Sequence, residues 1–253
     1  MNVYSVYFSP TGGTKKIMDI LAGEWKNKVE LDLSLPDKNY GIYRFQRGDV
    51  CLIGVPSFGG RVPEAALKRL KQIKADRAAA ILVVSYGNRA YEDTILELRK
   101  AVEECGFCVV AAIGAVAKHS IMHRYGAGRP DARDEKRLKA FAARIKKKLL
   151  VPKAWKDFFV PGRYPYKEFH VIPLKPEATK TCRQCGVCAS KCPVKAIPRK
   201  KPSQTDSRKC ISCMRCVSVC PHQSRRLNPA VFFAITLKMR KACSGRKEPE
   251  LFM

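Results

Sequence analysis

The chain has 253 residues, a formal net charge of +27, 46% hydrophobic residues and 12 cysteines. This apolar content is enough for one large or two modest domains, and it excludes a disordered polar chain. No apolar run approaches the ~20 residues that cross a bilayer, and the N-terminus shows no secretory leader, so we expect a soluble cytoplasmic protein without a transmembrane segment.

Residues 1–150 alternate between strand and helix patterns, which is typical of a parallel sheet with helices on both faces. The strand segments are rich in β-branched and aliphatic residues, and the helical segments carry apolar residues at helical spacing. We therefore predict a doubly wound α/β domain with five parallel strands. The strands are expected at 3–8, 29–33, 49–55, 78–85 and 107–116, and the helices begin near 14, 63, 91 and 131.

Three loops should meet at the carboxyl edge of this sheet, where open α/β sheets bind ligands. The first, Ser9-Pro10-Thr11-Gly12-Gly13-Thr14, offers hydroxyls and backbone amides at a helix N-terminus, which together suit a phosphate. The other two loops cover residues 56–63 and 86–93. The Walker pattern is absent, and so is Gly-x-Gly-x-x-Gly, which argues against a nicotinamide nucleotide in this crevice.

These loops resemble those of flavodoxins, which bind FMN. Loop 9–14 looks like their phosphate loop, and loops 56–63 and 86–93 look like the two that cover the faces of the flavin ring. The resemblance implies sheet order 2-1-3-4-5 and FMN in the crevice, with an empty flavodoxin-like scaffold as the alternative. It implies phosphate donors (Ser9, Thr11, Gly12, Gly13, Thr14), stacking residues (Phe58 and either Tyr86 or Tyr91), backbone approach to the ring edge (Gly59, Gly60, Gly87, Asn88) and further lining residues (Pro56, Ser57, Arg89, Glu92, Asp93).

Residues 151–178 hold five prolines among several aromatic residues, which excludes a long regular element. We predict a connector pressed onto a domain surface, with a partly ordered loop as the alternative. Residues 231–253 are predicted to be a basic tail that contains a short helix at 231–237 and frays after it.

Two further residues lie beside the predicted crevice. Arg61, in the second loop, is expected to face solvent. His119 follows the fifth strand, and we interpret it as an ordinary loop histidine, with a proton relay to the flavin as the less favoured alternative.

Residues 179–230 contain one motif twice, offset by 28 residues (182 to 210): Cys182-x2-Cys185-x2-Cys188-x3-Cys192-Pro193 and Cys210-x2-Cys213-x2-Cys216-x3-Cys220-Pro221. Structural zinc usually takes two well-separated ligand pairs, commonly with histidine. A disulfide framework would imply export, and eight thiols are too many for a core. Three closely spaced thiolates fit an iron–sulfur cluster better than these alternatives.

The motif resembles that of bacterial two-cluster ferredoxins, in which the thiolate before the proline binds the other cluster. The resemblance implies a small α+β domain with two 4Fe–4S clusters. One would be held by Cys182, Cys185, Cys188 and Cys220, and the second by Cys210, Cys213, Cys216 and Cys192. The two halves together resemble the flavodoxin–ferredoxin fusion family of iron–sulfur flavoproteins.

This resemblance predicts a protein that carries single electrons between its clusters, its FMN and a redox partner. Residues 179–230 carry twelve Lys and Arg and a single Asp, so we expect an acidic partner such as a ferredoxin, a flavodoxin or an oxidoreductase subunit. The alternatives are an FMN-dependent reductase of a quinone or nitro compound, and a protein that binds an anionic polymer or membrane surface. No nucleic-acid motif appears, so specific nucleic-acid binding is not expected.

Overall fold

The structure is a computed structural model that describes residues 2–169 and 173–253. The strands are β1 Val3–Tyr7, β2 Lys28–Asp32, β3 Arg44–Phe45, β4 Val50–Pro56, β5 Lys74–Ala75, β6 Ala79–Tyr86, β7 Cys108–Val116, β8 Glu177–Ala178, β9 Arg225–Arg226 and β10 Glu250–Phe252. The helices are α1 Gly13–Ala22, α2 Glu64–Leu70, α3 Thr94–Glu104, α4 Ala132–Leu149, α5 Val187–Lys191, α6 Arg215–Ser218 and α7 Pro229–Met239.

The central sheet has six strands in the order β10-β7-β6-β4-β1-β2. Five of them pair in parallel, and their order is the predicted 2-1-3-4-5. The sixth, β10, pairs antiparallel with β7 and caps that edge of the sheet. The prediction that the chain frays after residue 237 is therefore wrong. Three residues are too few to show a strand period, and their pairing partner lies more than 130 residues earlier in the sequence.

Helices cover both faces of the sheet, as the alternating pattern predicted. Apolar residues of α2 and α3 complete the core on one face, and those of α1 and α4 complete it on the other. Helix α4 begins as predicted at Asp131, whose side chain accepts from the amide of Asp134 in a capping box. The buried carboxylate of Asp134 also pairs with Arg129, which fixes the preceding turn.

The connector contacts the first domain at several points, which confirms the prediction that it is pressed onto a surface. Arg99 donates to the carbonyl of Phe158 at 2.7 Å, and Asp93 accepts from the amide of Lys167 at 2.7 Å. Phe159 nevertheless remains largely exposed. Residues 170–172 of the predicted connector lie outside the described residues.

The cysteine-rich part is a small α+β unit in which β8 pairs antiparallel with β9. Its two short helices, α5 and α6, both follow a residue with left-handed backbone, Gly186 at φ 77° and Met214 at φ 61°. These two residues occupy equivalent positions in the two copies of the motif, so the duplication is visible in the backbone. Within the described residues, no helix is long and apolar enough to cross a membrane.

Candidate functional site

A crevice opens at the carboxyl edge of the sheet, between the loops that follow β1, β4 and β6. The loop after β7 also contributes to its wall. Because these strands are parallel, all four loops begin at the same edge. The predicted residues that line the crevice are Ser9, Thr11, Gly13, Thr14, Pro56, Ser57, Phe58, Gly59, Tyr86, Gly87 and Arg89.

The first loop presents the N-terminus of α1 to the crevice. Gly12 has φ +87°, a left-handed conformation that glycine adopts without strain, and it turns the chain into the helix. The amides of Gly13 and Thr14, the first two of α1, have no acceptor within the helix, so they remain available to an anion. The amide of Lys15 instead donates to Ser9 Oγ at 2.9 Å, which leaves the O–H of Ser9 able to donate. Thr14 Oγ1 shares a hydrogen bond with Ser85 Oγ at 2.8 Å. The first loop therefore offers backbone amides and a hydroxyl to an anion.

Two buried aromatic residues, Phe58 and Tyr86, lie on the second and third loops. Gly87 follows Tyr86, and a Cβ added there would lie 2.5 Å from Cδ2 of His119. The absence of a side chain at residue 87 therefore lets the histidine pack against the loop. Of the two tyrosines predicted as stacking candidates, Tyr86 lines the crevice and Tyr91 does not.

The predicted residues that do not line the crevice bind other parts of the chain. Asn88 Nδ2 donates to the carbonyls of Cys243 and Gly245 at 2.7 and 2.9 Å, and Tyr91 donates to Glu250 at 2.7 Å. These contacts tie the third loop to the C-terminal segment. The full set outside the crevice lining is Gly12, Gly60, Asn88, Tyr91, Glu92 and Asp93.

The expectation that Arg61 faces solvent is wrong. Its guanidinium does not face solvent but donates to the buried carboxylate of Glu97 at 2.6 and 2.9 Å. The hydrogen bond that Arg61 donates to Glu97 raises the pKa of Arg61 above its ordinary value. The amide of Val62 also donates to Glu97, so this buried carboxylate anchors the second loop.

His119, which the sequence placed beside the crevice as a loop histidine, forms part of the crevice lining. Its Nδ1 accepts from the amides of Ile121 and Met122, both at 3.1 Å, which leaves Nε2–H as the donor of the neutral ring. Burial, together with the nearby charges of His123 and Arg89, lowers the pKa of His119 to about 4. The lining residues that sequence reasoning missed are Pro10, Ser85, Ala90, Ala117, Lys118, Ser120, Ile121 and Ser212.

The eight motif cysteines form two groups. We call Cys182, Cys185, Cys188 and Cys220 the outer site, and all four line one cavity. We call Cys192, Cys210, Cys213 and Cys216 the inner site, because three of the four side chains are buried and only Cys210 is partly exposed. The four cysteines of the outer site therefore share one cavity, while the grouping of the inner site follows the ferredoxin resemblance.

The inner site suits a cationic group bound by thiolates. Burial, together with the charges of the neighbouring Cys192 and Cys210, raises the pKa of both Cys213 and Cys216 to about 12. Thiolates gathered here therefore need a compensating positive charge, which iron would supply. Across residues 2–169 and 173–253, no three His, Cys, Asp or Glu side chains converge on a site for one metal ion.

The inner site lies against the crevice. Ser212, beside Cys213 in the motif, forms part of the crevice lining. Arg215 donates to the carbonyl of Pro10 at 3.0 Å and to that of Ser9 at 3.4 Å, so it links α6 to the first loop. The two candidate sites are therefore neighbours in space, although about 200 residues separate them in the sequence.

Comparisons with known proteins agree with this organisation. Residues 176–221 match the family model of the 4Fe-4S dicluster domain. None of the curated proteins compared with the chain matches it.

Three solved structures that resemble part of the chain have low sequence identity to it. Flavodoxin 2 from Bacillus cereus has 15% identity and a TM-score of 0.43, over 58% of this chain and 99% of that one. The Streptococcus pneumonia TIGR4 flavodoxin has 16% identity and a TM-score of 0.42, over 58% and 99%. The rubredoxin oxygen:oxidoreductase of Desulfovibrio gigas has 16% identity and a TM-score of 0.42, over 58% of this chain but only 37% of that one.

The fold is defined by the strand order of the chain itself, which is that of the flavodoxin-like doubly wound sheet. The chain therefore joins a domain of flavodoxin-like α/β fold to a segment, residues 176–221, that matches the 4Fe-4S dicluster domain, as the sequence predicted.

Proposed function

We propose that the protein is an electron-transfer iron–sulfur flavoprotein. It moves single electrons between two 4Fe–4S clusters and an FMN in the crevice, and it exchanges them with an acidic redox protein. The observation that carries this proposal is the contact of Arg215, which precedes Cys216 of the inner site, with the carbonyls of Ser9 and Pro10. That contact gives electrons a short path between the two cofactor sites within one chain.

The crevice residues suit FMN. The amides at the start of α1 would hold the phosphate, and Phe58 and Tyr86 would contact the ring. The neutral His119 would donate from Nε2, because its Nδ1 already accepts from two amides. FMN exchanges one or two electrons, so it would join one-electron clusters to a two-electron reaction.

The two cysteine sites would act in series. The inner site lies beside the crevice and is largely buried, while the outer site includes the exposed Cys185. Electrons would therefore enter or leave the chain at the outer site and reach the flavin through the inner site. Each cluster would carry one electron at a time.

The surface around Cys185 favours an acidic partner. Lys180 and Arg183 lie beside the outer site and are exposed. No carboxylate in the described ranges forms an ion pair with either of them. Complementary charge would steer an acidic protein to this surface and accelerate association.

Cofactor analysis tests the proposal. We expect anaerobically purified protein to be brown, with about eight iron atoms and eight sulfides per chain for two 4Fe–4S clusters, and with FMN released on denaturation. Colourless protein that contains zinc would contradict the proposal. Protein with clusters but no affinity for FMN would reduce it to a ferredoxin with an unused scaffold.

One observation favours a reductase as the second candidate. A second cavity shares Tyr86, Arg89 and Ala90 with the crevice, and the exposed ring of Phe159 and the cation of Arg163 also line it. It could hold a small aromatic acceptor beside the flavin. Turnover of a quinone or nitro compound by protein whose clusters are reduced beforehand would distinguish this enzyme from a pure carrier.

A further inference from the structure

The duplication places different residues at one equivalent position. Ile197 follows Cys192 by five residues, and Arg225 follows Cys220 by five, so the two are related by the offset of the motif. Ile197 is 4% exposed and packs with Cys188, Ala189 and Cys216 in an apolar cluster. Arg225 is only 2% exposed, so the second copy of the motif puts a cation where the first has an aliphatic side chain.

The guanidinium of Arg225 is surrounded by neutral acceptors. It donates to the carbonyls of Pro176, Pro202 and Gln204 and, at 2.5 Å, to the hydroxyl of Thr205. In the described part of the chain, no carboxylate forms an ion pair with it, and its buried Nε has no hydrogen-bond partner. A buried charge without a counter-charge is strongly unfavourable, so the folded protein should supply an anion here.

Arg225 lies between the two cysteine sites. It lines the cavity of the outer site together with Cys182, Cys188 and Cys220. Strand β9, which carries Arg225, also contacts helix α6, which carries Cys216 of the inner site. Both clusters would carry net negative charge through their thiolates, and each becomes more negative on reduction.

We propose that Arg225 is the buried counter-charge of both clusters and raises their reduction potentials. This inference rests on the ligation proposed above. The cation stabilises the reduced, more negative state of each cluster more than the oxidised state. It also weakens the repulsion between two reduced clusters, so the second electron should enter at a potential close to that of the first.

Redox titration of the holoprotein, followed by electron paramagnetic resonance, tests this role. Arg225→Ile restores the residue of the first copy and removes the charge. We expect it to shift the equilibrium between reduced and oxidised cluster at least tenfold toward the oxidised form, which is about 59 mV for one electron. Arg225→Lys should keep most of the wild-type potential. The matched control is Arg226→Ile, because Arg226 is the exposed neighbour of Arg225, and its potential should stay near that of the wild type.

Iron and sulfide are measured on every variant. Arg225→Ile protein with full clusters and unchanged potentials would overturn the inference and leave the proposed function standing. If Arg225→Ile fails to assemble clusters, Arg225→Gln is measured instead, because glutamine keeps hydrogen-bonding groups without the charge. A lowered reduction potential in Arg225→Gln would support the inference, and an unchanged potential would overturn it. Wild-type protein without clusters would instead overturn the proposed ligation and this inference with it.

Discussion

The inner and outer sites share one cysteine spacing but lie in different surroundings. In the inner site three thiols are buried, and its helix contacts the first loop of the flavodoxin-like domain through Arg215. In the outer site Cys185 is exposed, and unpaired cations stand beside it. The spacing is typical of a cluster ligand set, while the surroundings decide what each cluster can exchange electrons with.

This difference assigns the two sites different partners in the proposed electron transfer. The inner site adjoins the crevice and is mostly buried, whereas the outer site exposes Cys185 to other proteins. The predictions below test this division, from the largest expected effect to the smallest.

Removing an inner ligand should have the largest effect. Cys213→Ala deletes a buried thiolate of the inner site, so iron content should fall to about half of the wild-type value. Reduction of FMN by the outer cluster should stop, because the inner cluster that passes the electrons on is absent. Metal analysis and anaerobic stopped-flow absorbance check both effects. Cys51→Ala, at a buried cysteine of β4 outside both sites, is the control and should keep all its iron.

Charge reversal at the outer site should slow the external step. Arg183→Glu and Lys180→Glu should reduce association with an acidic redox protein by about tenfold at low ionic strength, with less effect at high salt. Flavin and iron content should not change. Lys26→Glu reverses an exposed charge just before β2 in the flavodoxin-like domain, so it is the matched control. Equal slowing by Lys26→Glu would show that net charge matters and the outer surface does not.

Loss of the contact between the domains should have a moderate effect. Arg215→Ala removes hydrogen bonds from a guanidinium to the carbonyls of Ser9 and Pro10, which should lower the free energy of unfolding by about 1.5–3 kcal/mol. Transfer from the clusters to FMN should also slow while the iron content stays constant. Urea denaturation and stopped-flow absorbance measure the two effects. Arg208→Ala, at an exposed residue just before the second copy of the motif, should change neither.

The smallest effect concerns pH. The pKa of His119 is lowered from 6.5 to about 4 on folding, so between these values the unfolded chain binds more protons than the folded one. The contribution of His119 to the free energy of unfolding should therefore be present above pH 6.5 and decline as the pH falls toward 4. Urea denaturation should show a steeper acid loss for the wild type than for His119→Gln. Parallel curves would contradict a His119 that is held neutral in the folded protein.

The sequence predicted what depends on local patterns. Apolar runs and turn residues located the five parallel strands and the three loops at their carboxyl ends, and the cysteine spacing located the two thiol groups. It could not predict contacts that need distant partners. Asn88 and Tyr91 follow a strand end as flavin-loop residues would, yet their partners Cys243, Gly245 and Glu250 lie about 155 residues later in the chain.

Single residues whose role is set by packing were also missed. A three-residue strand such as β10 has no detectable period. The role of His119 depends on the two amides that donate to its Nδ1, and the sequence does not show these contacts. The sequence shows that Arg225 replaces an aliphatic residue of the first motif copy. Its burial without a carboxylate partner is a property of the fold, and the sequence does not show it.

The central claim is that electrons pass between the clusters and FMN inside one chain. Stopped-flow absorbance tests it directly, with the clusters of the holoprotein reduced by a substoichiometric pulse and flavin bleaching followed over a range of protein concentrations. We predict first-order bleaching with a rate constant independent of protein concentration, because the inner site adjoins the crevice. A rate proportional to protein concentration would contradict the relay and show that the clusters and the flavin meet only between molecules.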